Sequence, residues 1–416
     1  MERIYLCIDL KSFYASVECV ERGLDPFSIN LVVADPTRHG AITLAATPAI
    51  KKLGVPSRGR IYEIDSSIDY IIAPPRMALY MQYAAKIYGI LLKFISSEDI
   101  YVYSIDESFL DITSYLKLYQ KSPKEIAKMM IDQIVEETGI TATVGIGTNL
   151  FLAKVALDIC AKHASDFMGY LDEDIFRQTL WHHKPLTDIW MIGPGTTKHL
   201  ARLGLYDLYD VAHYPEGLLY KEFGVNAATL IDHAWGKEET TIPDIKAYQP
   251  KQNSISNSQI LFEDYTYEDA FLIMEEMVET NVLVLTEKKV VTNQIALFVG
   301  YSKDCAKPTR ASTKITNTTN LYSILLKEFS LLYQRSVRKN VPIRQIAISF
   351  LHIQPQEKEM YDLFTSFQRV EKEKRIQNTL VQIKNKYGKN AILKGMNVCD
   401  KSMAKVRNTL IGGHNA

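Results

Sequence analysis

The stretch YVYSIDESFLDI, residues Tyr101–Ile112, has two β-rich arms around an adjacent pair of acids, Asp106 and Glu107. Aromatic and β-branched side chains favour strands, and two such runs around a short polar centre predict a β-hairpin. Adjacent strand residues normally point to opposite faces, but at a tight turn both can face one cleft. The stretch therefore predicts a hairpin that presents two carboxylates at its tip.

A further predicted strand ends on a carboxylate near the start of the chain. The segment Arg3–Asp9 (RIYLCID) is rich in β-forming residues, as in a central buried strand. Helices and strands alternate after it: helices over 13–22, 77–95, 123–137 and 150–161, and a strand over 141–146. This alternation predicts an α/β sheet with Asp9 at a strand end.

The middle of the chain changes character. From about residue 174 short helices are joined by Gly and Pro turns, which predicts a small all-helical domain. Residues 242–254 contain two prolines and no apolar periodicity, and they predict an interdomain linker.

The order of elements after the linker is βαββαβ, with strands over 255–262, 290–300, 309–318 and 343–353, and helices over 268–287 and 320–338. This is the ferredoxin-like split arrangement, in which two helices cover one face of the sheet and the other face stays free. Beyond Gln354, one charged helix over about 366–387 and a Gly-rich end predict a partly ordered tail.

Composition narrows the class of protein. The 416 residues are 47% hydrophobic and include five scattered cysteines without a CxxC pair, which excludes a disulfide framework and a zinc site. The length predicts about two to four domains. No apolar run approaches the ~18 residues of a membrane span, and no secretory pattern begins the chain, so we expect a cytoplasmic protein without a membrane partner.

The net charge is zero, but it is unevenly distributed. Residues 1–250 hold 24 Lys+Arg and 32 Asp+Glu, a net of −8, and residues 251–416 hold 24 and 16, a net of +8. Within the basic half, residues 288–344 carry 11 Lys+Arg against two acids. A net charge of zero over the whole chain argues against a nucleic-acid partner, whereas the positive charge of the basic half is compatible with such a partner. The alternative interpretation of the basic run is a solvated charged face that binds nothing.

Asp9, Asp106 and Glu107 suggest metal chemistry. Carboxylates brought together repel one another until a hard cation such as Mg²⁺ binds, and two such ions can support an in-line phosphoryl transfer. Solvated turn residues are the alternative. The segment GIGTNL, residues 145–150, follows a strand but lacks the third glycine of a dinucleotide-binding loop.

Four segments stand in order along the chain: IDLKSFYASVE (Ile8–Glu18), LAATPAIKKLGV (Leu44–Val55), YSIDESFLDI (Tyr103–Ile112) and TVGIGTNLFLAKVALD (Thr143–Asp158). In this order and at these separations they resemble the Y-family translesion DNA polymerases. The ending AILKG…RNTLIGGH (391–414) is similar to that of the bacterial UmuC-like branch of Gram-positive type. The resemblance covers essentially the whole chain and implies a template-directed DNA polymerase of DNA damage tolerance and repair.

The fold implied by the resemblance is a multidomain α/β right hand. It has a ferredoxin-like palm, small inserted fingers, an all-helical thumb with a helix-hairpin-helix, and a βαββαβ little finger. The implied bounds are palm 1–21 and 76–166, fingers 22–75, thumb 167–241, linker 242–254, little finger 255–354 and C-terminal tail 355–416.

The resemblance also implies roles at the active site. Two Mg²⁺ ions would be held by Asp9, Asp106 and Glu107 together with the backbone carbonyl of Leu10. The residues implied to contact the nucleotide are Phe13, Tyr14 as the steric gate against ribose, Thr47, Lys51 and Lys154. The chain departs from the family pattern at Pro48, where many members have a tyrosine, and at residues 162–165, where the family's Lys-Pro-Asn-Gly is Lys-His-Ala-Ser.

Contacts with DNA and partner proteins are implied as well. The residues expected at primer-template DNA are Gly193, Gly195 and Lys198 in the thumb, and Lys288, Lys289, Lys303, Lys307, Arg310 and Lys314 in the little finger. Asp362, Leu363 and Phe364 resemble part of a sliding-clamp-binding peptide, and a recombinase filament is a further candidate partner. A nucleotidyl cyclase and a non-catalytic DNA-binding regulator are the alternative functions.

Overall fold

A computed structural model describes residues 3–37, 40–250, 253–358 and 366–415. The chain divides into two compact units, Met1–Tyr248 with His414–Ala416, and Gln249–Gly413. No helix within the described ranges is both long enough and apolar enough to cross a membrane.

The first unit contains, in chain order, β1 (Tyr5–Leu10), α1 (Phe13–Val20), β2 (Leu31–Val33), β3 (Ala45–Ala46), α2 (Pro48–Lys52), β4 (Ile71–Ala73), α3 (Met77–Leu91), β5 (Ile100–Val102), β6 (Glu107–Asp111), α4 (Tyr115–Tyr119), α5 (Pro123–Thr138), β7 (Ala142–Gly147), α6 (Leu150–Val155), β8 (Met168–Leu171), α7 (Glu173–Leu180), α8 (Pro194–Arg202), α9 (Leu208–His213), α10 (Glu216–Phe223), α11 (Asn226–Ala234) and α12 (Ile242–Ala247).

A five-stranded sheet in the order β5-β6-β1-β7-β8 forms the centre of this unit. β1 is antiparallel to both β6 and β7, and β7 is parallel to β8. Because β1 lies between two strands, its residues Tyr5–Ile8 are buried, as the continuous β-forming run predicted. The predicted hairpin is confirmed, since β5 pairs with β6. A separate three-stranded sheet, β3-β2-β4, lies between α1 and α3 in the chain.

Local signals determine the ends of α5. The hydroxyl of Ser122 accepts a hydrogen bond from the Glu125 amide, and the Glu125 carboxylate accepts one from the Ser122 amide. Pro123 occupies the first turn, where a missing N–H costs nothing. Gly139 ends the helix at φ 70°, a left-handed conformation that glycine adopts without strain.

The predicted linker differs from the observed structure in its first half. Thr241 caps α12, and Ile242 is fully buried in a cluster with Tyr5, Phe109 and Leu150. A β-hydroxyl cap followed by Pro is a helix-start signal. The boundary between the units falls later, after Tyr248.

The second unit begins with β9 (Ile255–Tyr265), α13 (Tyr267–Glu287), β10 (Val290–Tyr301), β11 (Thr309–Thr319), α14 (Tyr322–Ser336) and β12 (Ile343–Leu351), which is the predicted βαββαβ order. The strands pair in the order β11-β10-β12-β9, all antiparallel. Alternate residues, such as Ile295, Leu297 and Val299, are buried with the apolar faces of α13 and α14. The other face of the sheet is the open face.

The described part of the predicted tail up to Gly413 belongs to this unit and forms regular elements, which corrects the expectation of partial order. Its elements are β13 (Gln354–Pro355), which pairs with β10, α15 (Phe367–Tyr387), which packs on α13, α16 (Ala404–Asn408) and β14 (Leu410–Ile411). The last short strand, β15 (His414–Asn415), is assigned to the first unit. Gln377 of α15 is buried and donates hydrogen bonds to Thr286 Oγ1 and to the Asn320 carbonyl. Such long-range partners are invisible in a local sequence pattern.

Candidate active site

The strand register brings the three predicted acids together. Asp9 lies opposite Glu107 in the β1–β6 pair. The amide of Leu10 donates a hydrogen bond to the Asp106 carbonyl at 2.9 Å, which fixes the turn just before β6. Asp106 is further held by Ser104, whose hydroxyl donates to its carboxylate at 2.6 Å. Three carboxylates therefore lie at one end of the central strands.

The electrostatics of Asp9 reflect this crowding. Burial raises the pKa of Asp9 to about 7; the charge of Lys162 opposes the shift, while the charges of Asp106 and Glu107 add to it. A carboxyl that is costly to ionise beside two other acids gains most from a nearby cation. The hard oxygen donors of this group suit Mg²⁺.

Glu107 is engaged with protein partners on both carboxylate oxygens. Oε1 accepts a hydrogen bond from the Cys7 thiol at 3.2 Å, and Oε2 accepts one from Lys154 Nζ at 2.9 Å. Among the described residues, no three His, Cys, Asp or Glu side chains are gathered closely enough to enclose an ion as they stand. Since Glu107 is turned toward Lys154, binding of an ion by all three acids requires a change at Glu107.

Two glycines determine how Lys154 reaches Glu107. A Cβ on Gly145 would come within 2.0 Å of the Ala153 carbonyl, and one on Gly147 within 2.2 Å of the Ala153 amide. Only glycine lets the backbone of α6 approach β7 this closely. The glycines of the segment GIGTNL thus allow a helix to pack closely against the sheet.

Lys154 itself is placed differently from a phosphate contact. It is buried, and its ammonium also lies 3.1 Å from Asp158 Oδ2. Burial by itself would lower the pKa of Lys154, but the neighbouring Cys7, the hydrogen bond to Glu107 and the charges of Glu107 and Asp158 outweigh burial and raise it. The ammonium is therefore occupied by carboxylates.

Lys162 and Lys11 are two further lysines whose charges interact with that of Asp9, and the sequence analysis predicted no role for them. Lys162 is 45% exposed and bonds Asp158 at 2.7 Å. Burial lowers the pKa of Lys51 and the pKa of Lys11. For each of these two lysines, the negative charge of Asp9 acts to raise the pKa, and the positive charge of Lys162 acts to lower the pKa further. Four lysines thus lie within electrostatic range of Asp9: Lys11, Lys51, Lys154 and Lys162. The sequence feature that points to Lys162 as a site residue is its position in the Lys-His-Ala-Ser run, where the family pattern is Lys-Pro-Asn-Gly.

The two residues of the predicted fingers, Lys51 and Thr47, lie in different environments. Lys51 donates a hydrogen bond from Nζ to the Ser12 hydroxyl at 2.8 Å, which places it beside the β1–α1 turn. Thr47 is fully buried; its hydroxyl donates to the Ile29 carbonyl and accepts from the Leu31 amide. The expectation that Thr47 grips a phosphate is corrected, because its hydroxyl is already satisfied inside the protein.

The two aromatic residues after Asp9 also differ. Tyr14 is partly exposed, and burial together with the nearby charge of Asp106 raises its pKa. Phe13 is only 2% exposed and packs in the core. Tyr14 therefore borders the acids, whereas Phe13 is placed as a core residue of α1.

In the thumb region, Gly193, Gly195 and Lys198 are all exposed at the start of α8. A Cβ on either glycine would meet no protein atom within 4 Å. Packing within the protein therefore does not require glycine at these two positions.

The six predicted basic residues of the second unit lie on β11 and at the two ends of β10. Arg310 and Lys314 project from the edge strand β11 on the open face, opposite Phe298 and Gln294. Lys288 and Lys289 precede β10, whereas Lys303 and Lys307 follow it; a 12-residue strand separates the two pairs by about 40 Å. Lys307 precedes Arg310 by only three residues, so the pair Lys303 and Lys307 lies at the same end of the sheet as Arg310. Binding of DNA by these six residues stays a prediction. The candidate clamp residues Asp362, Leu363 and Phe364 lie outside the described residues.

The fold defines the class of protein. A Y-family DNA polymerase chimera of Dbh and Dpo4 matches with a TM-score of 0.67 and 22% identity, over 85% of this chain and 99% of its own. An insertion ternary complex of Dbh DNA polymerase matches with a TM-score of 0.54 and 22% identity, over the same shares. The chain has the Y-family polymerase fold.

Sequence comparison places the chain in a family. The impB/mucB/samB family matches residues 8–158, and its C-terminal domain matches residues 252–363. The putative UV-damage repair protein UvrX of Bacillus subtilis is 32% identical over 98% of this chain and 97% of its own length. DNA polymerase IV 2 of the same organism is 28% identical over 99% of both chains. The chain belongs to the impB/mucB/samB family, the Y-family translesion DNA polymerases, and to their Gram-positive type.

Proposed function

We propose that this chain is a template-directed DNA polymerase of the translesion type, which adds a deoxynucleotide to a primer 3′-hydroxyl and releases pyrophosphate. The observation that carries the proposal is the register that puts Asp9 opposite Glu107 beside Asp106. Family membership and relatives named DNA polymerase IV and UV-damage repair protein support it.

Asp9, Asp106 and Glu107, with the carbonyl oxygen of Leu10, would hold two Mg²⁺ ions. When bound, such ions activate the attacking hydroxyl and stabilise the leaving oxygen. The chain's own part is to supply hard oxygen ligands at a strand end, with Ser104 orienting Asp106. Burial raises the pKa of Asp9, and the charges of Asp106 and Glu107 add to the rise, which supports a cation at this position.

The nucleotide would lie between these acids and the lysines. Lys51, Lys162 and Lys11 supply positive charge for a triphosphate, which needs neutralisation beyond the metals. Tyr14 would lie under the sugar and clash with a 2′-hydroxyl.

Template and primer would be held through phosphates, without reading of sequence. The open face of the second unit carries small side chains opposite one another, Ala296 with Ser312 and Ser349, which leaves a flat surface beside Arg310. Exposed amides at Gly193 and Gly195 and the ammonium of Lys198 would contribute in the thumb. A cytoplasmic location, a sliding clamp bound through residues 362–364 and a recombinase filament complete the proposal.

Primer extension tests the function directly. On undamaged and abasic templates, the wild-type protein should extend a primer, and Asp106→Ala or Glu107→Ala should abolish extension while DNA binding stays nearly intact. Asp111→Ala, at the far end of β6, is the control. Substantial extension by either variant would remove the assignment of the acids. A wild-type protein that binds DNA without extending it would instead favour the non-catalytic regulator.

A further inference from the structure

The net positive charge of the second half of the chain lies in its last segment. Residues 251–365 hold 13 Lys+Arg and 13 Asp+Glu, a net of zero, whereas residues 366–416 hold 11 and 3, a net of +8. The strands β9 to β12 and the helices α13 and α14 all belong to the first of these two segments. The charge excess that is compatible with a nucleic-acid partner therefore belongs to α15 and the residues that follow it.

The helix α15 is held on the side of α13 and α14 that faces away from the sheet. Met277 of α13 is buried in the core against the sheet, whereas Leu283 of α13 lines a cleft together with Val381 of α15. Glu373 of α15 accepts hydrogen bonds from the amide and the hydroxyl of Ser323, the second residue of α14, each at 2.7 Å. The helices α13 and α14 therefore form a layer between the sheet and α15.

The outer face of α15 is a polar stripe without an acidic residue. Residues spaced alternately by four and three positions lie on one side of a helix. Six exposed residues of α15 follow this spacing: Gln368, Lys372, Arg375, Thr379, Gln382 and Lys386. At 1.5 Å of rise per residue the stripe is about 27 Å long. The two acids of this helix, Glu371 and Glu373, lie outside the stripe.

The three cations of the stripe are not neutralised by carboxylates of the protein. Among the described residues, no ion pair involves Lys372, Arg375 or Lys386, whereas the neighbouring Lys374 lies 4.0 Å from Glu371. Like charges three or four positions apart on a helix destabilise it by repulsion. An external anion that contacts the stripe would remove this repulsion.

The side chains of the stripe match a nucleic-acid backbone. Lysine, arginine, glutamine and threonine all donate hydrogen bonds to phosphate oxygens. The stripe offers no aromatic ring on which an unpaired base could stack, and the ring of Tyr387 beside it already lies 5.2 Å from Lys386 Nζ. A duplex, which presents phosphates and keeps its bases stacked, therefore fits the stripe better than a single strand does.

We propose that the outer face of α15 binds a second segment of duplex DNA through its phosphates, separate from the DNA at the open face of the sheet. Two layers of helices lie between the two faces, which separates them by about 20 Å, so one straight duplex cannot contact both. The inference rests on the proposed function only in taking DNA as the substrate.

The test counts the duplexes that the full chain binds. The protein is titrated at low salt with a labelled blunt duplex and followed by sedimentation. Wild type should bind two duplexes, and the triple variant Lys372→Gln, Arg375→Gln, Lys386→Gln should bind one. The binding step that the variant loses should have, in wild type, a slope of log affinity against log salt of about −2.7, as for three phosphate contacts.

A triple variant in the first unit provides the matched control. Lys121→Gln, Lys124→Gln, Lys128→Gln removes the same charge from exposed positions at α5, where Lys124 lies 2.7 Å from Asp166 and Lys128 lies 2.9 Å from Asp132. This variant should still bind two duplexes. Loss of one duplex in the control would show that total charge decides binding, and would overturn the proposal.

Two further results would also overturn it: one duplex bound by wild type, or two bound by the folded α15 variant. Lys372→Gln with Arg375→Gln replaces the triple variant should that protein fail to fold. Unchanged duplex binding together with lost binding of poly-glutamate would identify an acidic protein surface as the ligand instead of DNA.

Primer extension separates this inference from the proposed function. The α15 variant should extend a primer with kcat and KM for dNTP within about twofold of wild type, because α15 carries none of the residues assigned to the reaction. A wild-type protein that does not extend a primer, but loses one duplex in the α15 variant, would remove the proposed function and support the second DNA surface. Lost extension with an unchanged duplex count would overturn the second surface.

Discussion

Lys154 Nζ lies 2.9 Å from Glu107 Oε2, and both side chains are buried. The pair joins the start of β6 to α6, two elements that local sequence does not connect. Because Asp158 and Lys162 continue the contact along the same helix segment, acidic and basic groups alternate from Glu107 to the exposed Lys162.

This pairing predicts that Lys154 acts on Glu107 and not on the nucleotide. Lys154→Met should lower kcat by about 10- to 100-fold, as for residues that orient metal ligands, with little change in the KM for dNTP. Lys154→Arg, which keeps the charge, should recover part of the loss. Steady-state primer extension separates the two constants.

Lys162→Met is the matched comparison, since Lys162 is exposed and lies in the electrostatic range of Asp9. Its main effect should be a raised KM for dNTP. A Lys154→Met variant that shows only a raised KM would instead identify Lys154 as a phosphate contact.

The raised pKa of Asp9 predicts that the stability of the metal-free protein depends on pH. Its pKa rises from the ordinary value of 3.8 to about 7 on folding. Between these values the unfolded chain has lost the proton and the folded protein still holds it, so this group lowers the free energy of unfolding as pH rises from 3.8 to about 7.

Urea unfolding in EDTA across that range measures the effect. Asp9→Asn should remove this part of the slope and should be relatively more stable than wild type near neutral pH. Parallel curves for the two proteins would contradict the assigned pKa. Added Mg²⁺ should stabilise wild type more than Asp9→Asn at neutral pH.

The separation of the basic residues predicts unequal effects on DNA binding. Arg310→Ala and Lys314→Ala, on the open face, should each reduce the slope of log affinity against log salt by about 0.9. The double variant Lys288→Ala with Lys289→Ala should change the slope less. Fluorescence anisotropy with labelled DNA over a salt series measures the slope for each variant. Equal slopes for all variants would show that the open face does not bind phosphates.

The hydrogen bonds between Glu276 and the C-terminal segment predict that this segment stabilises the second unit. Glu276 is 1% exposed, and its carboxylate accepts hydrogen bonds from Asn397 Nδ2 and the Met403 amide. Glu276→Ala leaves those buried donors unpaired and should lower the free energy of unfolding by about 3 kcal/mol.

The exposed Glu268 on the same helix is the control, and Glu268→Ala should change stability by less than about 1 kcal/mol. Urea unfolding of the full chain measures both. Equal stability of the two variants would show that the segment from Asn397 onward is only loosely attached.

The order of the elements, and the position of the acids within that order, follow from local sequence patterns. The β-rich arms around Asp106 and Glu107, the run ending at Asp9 and the βαββαβ order after residue 254 are periodic patterns of short range. Each was found where the sequence predicted it, because neighbouring residues suffice to form a strand, a turn or a helix end.

Which side chains contact one another depends on the packing of the whole domain. Thr47 was expected at a phosphate and is buried; Lys154 was expected at a nucleotide and is paired with Glu107; Tyr80 was not singled out, and it stacks on Tyr14. These contacts join residues that are 47 and 66 positions apart, or bury the Thr47 hydroxyl against Ile29 and Leu31. Local sequence carries no signal for them, because packing of the whole domain selects each partner and the energy of each pair depends on its burial.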